Sequence, residues 1–169
     1  MIAAQQKELE KAIDFLTEIG IKVIEKDLPE TTFLPGLELG SNIIYVDYKK
    51  LKYPGDILHE AGHIAVTSPA ERLLIGTDEI SETWPVQGEE IAAILWSFAV
   101  ADHLGLPLEF IFHKDGYKGH SEWYIDNFKN GNYIGLPLLQ WLKMAYSNDD
   151  IENQEKPAFP AMQHWMRMD

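Results

Sequence analysis

The spacing of apolar residues changes several times along the chain, and each change predicts an element. Leu9, Ala12, Ile13, Leu16 and Ile19 recur at helical intervals, predicting a helix over 7–19 that stops at Gly20. A short apolar run follows at 21–24, then a loop over 28–36 punctuated by Pro29, Pro35 and Gly36. Residues 37–39 and 43–48 have strand character, with Gly40-Ser41-Asn42 as the turn between them. The opening section therefore predicts one helix and a small antiparallel sheet.

Beyond Tyr53-Pro54-Gly55 the pattern becomes helical. Ile57, Leu58, Ala61, Ile64 and Ala65 mark one face of a helix over 56–66, with Asp56 as its expected cap. The stretch 89–104 is apolar on nearly every side, which predicts a central, buried helix ended by Gly105. Shorter helices are expected over 121–128 and 137–146, the latter with proline in its first turn. The acidic stretch 147–156 reads as a loop. Met162, Trp165 and Met166 then predict a docked tail, with His164 packed among them, within an overall tail region of 147–169. Trp123, Trp141 and Tyr146 are expected in the core. The fold class is α+β: mostly helical, with a small N-terminal antiparallel sheet, in a single domain spanning 1–169.

Composition narrows the function. The chain has 169 residues, enough to bury a substantial core. Its 27 acidic residues against 14 basic ones give a net charge of -13, which repels phosphate backbones and anionic membranes. With no cysteine, there is no disulfide framework, thiolate metal site or cysteine nucleophile. The start of the chain meets Lys7-Glu8 before the apolar run of a leader can build, and the longest apolar run, 91–101, is too short to span a bilayer. These features predict a soluble, cytoplasmic protein with neither nucleic acid nor membrane as partner.

The chemistry is concentrated in His59-Glu60-Ala61-Gly62-His63, an H-E-x-x-H pattern on a predicted helix. Residues four apart share a helix face, so the two imidazoles can bind one zinc ion. Glu60 then stands where it can take a proton from a water that zinc has acidified to a pKa of about 7. Composition alone would give such a pattern only about 0.02 times in a chain like this one, so chance is a poor explanation. Gly62 shares the histidine face, where glycine costs about 1 kcal/mol against alanine; a close helix contact or a clear space beside the metal would account for it.

A catalytic zinc takes three protein ligands. Six residues after His63 stands Pro69, so no third histidine completes an extended pattern. Glu89 and Glu90 open the next helix. Glu90 shares its face with the small residues Ala93, Ser97 and Ala101, which favours it over Glu89. Acids in a first helical turn also complement the dipole, a role either could take. Asp102 and His103 are alternatives about 18 Å further along.

This combination resembles the zincin metallopeptidases and, among them, the small gluzincins: minigluzincins and the ImmA/IrrE-type peptidases. The resemblance covers about 21–105. It implies a zinc-dependent peptidase acting on a peptide or protein substrate. It also implies that the strand over 42–48 lines the substrate groove, where an extended peptide could pair with it. The family's oxyanion donor, a tyrosine or histidine after the ligand helix, would fall to His120 or Tyr117. Gluzincins often carry an acid four positions after the ligand glutamate; here those positions hold Ala93 and Ile94. The alternative expectation is an inactive metal-binding zincin-like domain that binds a peptide or protein partner without cleaving it.

Overall fold

The computed structural model describes residues 3–169. The expected absence of a leader starts on residues 1 and 2, which lie outside the described residues. Helix α1 (Ala3–Glu18) turns Leu9, Ala12, Phe15 and Leu16 into the core. Gly20, at a φ of 95°, reverses the chain into β1 (Lys22–Glu25). Strands β2 (Leu37–Gly40) and β3 (Ile43–Val46) form a hairpin closed by Ser41 and Asn42, with Asn42 in the left-handed region that asparagine tolerates.

The class is α+β and mostly helical, as expected, but the sheet is mixed rather than antiparallel. Its order is β1-β3-β2. β3 pairs antiparallel with β2, placing Leu37 opposite Val46. It pairs parallel with β1, placing Lys22 opposite Ile43. Ile44 and Val46 are the buried face of this central strand.

Helix α2 (Asp56–Val66) has the expected limits and is buried on every face except at His59. Asp56 does not cap it: Gly55 occupies the cap position without a side-chain bond, and Asp56 pairs with His113 instead. A β-carbon at Gly55 would stand 1.7 Å from the Phe110 carbonyl oxygen, so only glycine fits there. Helix α3 (Pro69–Arg72) is short and capped by Ser68, whose Oγ accepts from Glu71 N. Helix α4 (Gln87–Leu104) is the expected buried centre, with every residue from Ala92 to Ala101 inside.

Beyond α4 come α5 (Leu108–Ile111), α6 (Ser121–Lys129), α7 (Leu136–Trp141) and α8 (Asn148–Gln154). The expected loop over 147–156 is therefore a helix, started by a capping box in which Ser147 and Asp150 bond each other's backbone amides. The tail docks as expected: Phe159 is buried, and Trp165 lies edge-on to Phe15 at 5.0 Å and to Trp96 at 6.2 Å. Trp123, Trp141 and His164 are exposed, contrary to expectation. No helix among the described residues is long and apolar enough to cross a membrane.

Candidate metal centre

Three potential ligands meet where α2 crosses α4. His63 Nε2 is 3.2 Å from Glu90 Oε2, and His59 Nε2 is 3.4 Å from Glu90 Oε1. The two Nε2 atoms are 3.1 Å apart. Tetrahedral zinc with ligand bonds of about 2.0–2.1 Å needs ligand atoms about 3.3 Å from one another. The donor set and its spacing both fit one zinc ion. Among the described residues this is the one group of three or more His, Asp or Glu side chains arranged to hold a metal.

The close approach of the helices explains the meeting. A β-carbon on Gly62 would lie 2.8 Å from the Ala93 carbonyl oxygen and 3.1 Å from Ala93 Cα. The small face of α4 thus packs directly on the histidine face of α2 and carries Glu90 to the imidazoles. Glu89 points elsewhere: its Oε2 accepts from Val86 N at 3.0 Å, closing the first turn of α4. His103 packs between Phe15 and Trp165, remote from the centre.

Burial governs the electrostatics. His59, 13% exposed, is pushed down to a pKa of about 4 by burial and by the neighbouring His63, so it is neutral at pH 7, as a ligand must be. Burial opposes charge on His63 and Glu90, but their mutual hydrogen bond prevails, holding His63 above its ordinary value and Glu90 below. Glu60 is 9% exposed; burial pushes its carboxyl up to about 7, and the nearby Asp56 and Glu90 carboxylates add to the effect. A carboxyl group with that pKa can both accept and return a proton near neutrality.

A cavity of about 320 Å³ opens beside the triad, bordered by His59, Glu90, Tyr53, His113, Tyr117 and Lys118. Tyr117 sets its ring edge-on to His59 at 5.4 Å. Its hydroxyl is buried and has no hydrogen-bond partner among the described residues. Tyr117 and Lys118 both hold positive φ, 54° and 53°. Two successive non-glycine residues in that region store strain of the kind found at binding sites. His120, by contrast, is exposed beside the start of α6 and does not line the cavity.

The sequence reading missed His113. Its Nε2 lies 2.8 Å from Asp56 Oδ1, and Tyr53 stacks on its ring at 3.8 Å. The pair joins residues 57 apart, so no local spacing announces it. Trp84 braces α2: its ring lies edge-on to His63 at 6.0 Å, and its Nε1 donates to Thr67 Oγ1. The expected groove along 42–48 is corrected by the sheet order. β3 is hydrogen-bonded on both edges, to β1 and β2, so it has no edge left for an added strand. The acid absent after Glu90 is not replaced either: Nδ1 of both His59 and His63 is buried with no partner among the described residues.

Comparison with family models, with curated proteins and with solved structures finds no match to this chain.

Proposed function

We propose that this protein is a zinc-dependent metallopeptidase of the gluzincin type, working in the cytoplasm on a peptide or protein substrate. The observation that carries the proposal is the convergence of His59, His63 and Glu90 next to the buried carboxyl of Glu60. A zinc ion held by those three side chains would supply Lewis acidity toward a carbonyl and toward water. Glu60 takes the proton released by the attacking water and returns it to the departing amine, a double duty its raised pKa suits. The Tyr117 hydroxyl, buried beside Ser97 with no close hydrogen bond among the described residues, would donate to the oxygen that becomes negative at the scissile carbon. His113, held by Asp56 and Tyr53, forms the polar wall of the cavity that receives the substrate.

A second reading draws on the unpartnered Nδ1 atoms of the two histidines: a metal-binding zincin-like domain that holds a peptide partner without cutting it. Two measurements separate the readings. Mass spectrometry of the purified protein should find about one zinc per chain, lost in His59→Ala. Peptide-library digestion should then show cleavage by wild type and none by Glu60→Gln, with zinc retained. Zinc without cleavage selects the second reading, and no zinc after dialysis against the ion removes both.

A further inference from the structure

Arg72 is 8% exposed, and its guanidinium meets backbone carbonyl groups rather than a carboxylate. Nε donates to Ile64 O at 3.0 Å, while Nη2 donates to Thr67 O at 2.9 Å and to Arg167 O at 2.8 Å. The last carbonyls of a helix lack internal partners and carry partial negative charge, which suits a buried cation. The other carbonyls of this turn are also met. His63 O accepts from Thr67 Oγ1 at 2.6 Å, and Ala65 O accepts from Arg167 N at 2.9 Å. The same segment reaches α4, where Trp96 Nε1 donates to Trp165 O at 2.9 Å. α2 carries two of the three ligands and α4 carries the third. The segment 159–168 and Arg72 therefore join the two elements whose separation sets the metal geometry.

In many metal sites a hydrogen bond to the second ring nitrogen fixes each histidine. Nδ1 of His59 and of His63 has none here among the described residues, so the aim of the rings depends on where α2 sits. We infer that Arg72 and the segment 159–168 form a clasp that fixes α2 against α4 and so sets the affinity of the metal centre, with Arg72 and Arg167 as positioning residues. This rests on the zinc reading of His59, His63 and Glu90.

The test measures zinc affinity by chelator competition and the visible spectrum of the cobalt-substituted protein. Arg72→Met removes the fork; Arg72→Lys keeps the charge but cannot bridge carbonyls pointing in several directions. Arg167→Pro removes the backbone donor to Ala65. Lys143→Met, which removes only a surface pair with Asp169, is the control. At a temperature where circular dichroism shows each variant folded, the clasp variants should bind zinc about 10–100-fold more weakly, with a shifted cobalt spectrum. Lys143→Met should match wild type. Folded clasp variants with wild-type affinity and spectrum overturn the inference and leave the zinc reading standing. If Arg72→Met does not fold, Arg72→Lys and Arg167→Pro decide. A wild-type protein that binds no zinc overturns the zinc reading and this inference together.

Discussion

Gly62 lies so close to Ala93 that the backbones of α2 and α4 touch at the metal centre. Gly62→Ala would insert a methyl group 2.8 Å from a carbonyl oxygen with no flexible side chain to yield. Overpacking of this severity costs about 3 kcal/mol. The better helix propensity of alanine returns about 1 kcal/mol, leaving a net loss of about 2 kcal/mol. The variant should show a lower denaturant midpoint and weaker zinc binding. An unchanged midpoint would mean that the helices do not meet as closely as described.

The neighbouring glutamates of α4 should separate cleanly. Glu90→Gln removes a charged ligand and should abolish stoichiometric zinc binding. Glu89→Gln weakens the bond to Val86 N, costing about 0.5–1 kcal/mol of stability with zinc content intact. Metal analysis and thermal melting of both variants check this; retention of zinc by Glu90→Gln would reassign the third ligand.

Tyr117→Phe should divide stability from activity. It deletes a buried hydroxyl that lies beside Ser97 but makes no close hydrogen bond among the described residues, so the melting temperature should change little. If the hydroxyl serves the reacting carbonyl, kcat should fall by about 100-fold or more with little change in KM. Equal kcat in the variant would remove Tyr117 from the mechanism.

Acid should loosen the tie between the β1–β2 loop and the β3–α2 loop that runs through Asp47. Its carboxylate accepts from Leu28 N at 3.2 Å and Lys49 N at 3.0 Å, with Lys50 Nζ at 3.1 Å, and these bonds draw its pKa down to about 2. The folded value lies below the unfolded one of about 3.9. Its contribution is therefore complete above about pH 4 and is lost as pH falls through about 2. Asp47→Asn should melt below wild type at pH 6, and the gap should close between pH 4 and pH 2. A gap that stays constant would show that the carboxylate charge is not what these amides hold.

What the sequence revealed followed from local periodicity. α2 and α4 were legible because their apolar positions recur at helical spacing, and Glu90 stood out because its face is small. The parallel pairing of β1 with β3 was not legible: β2 lies between them in sequence, and four-residue strands give little alternation to read. α8 was missed because it has no apolar face, although the Ser147 and Asp150 capping signal was present. The His113–Asp56 pair depends on a contact 57 residues long, which only the packing of α5 against Gly55 brings about.

The close backbone approaches at Gly55 and Gly62 fall within eight residues, and they can be written as a pattern. Gly55 is required by the Phe110 carbonyl and Gly62 by the Ala93 carbonyl, with the histidines and Glu60 between and beside them. The result is G-x-x-x-H-E-x-G-H, a stricter signature than H-E-x-x-H alone. Its added positions are dictated by sterics rather than by chemistry. Divergent kin that have lost the metal ligands would still keep both glycines, because the α2–α4 crossing and the seat of α5 would still demand them.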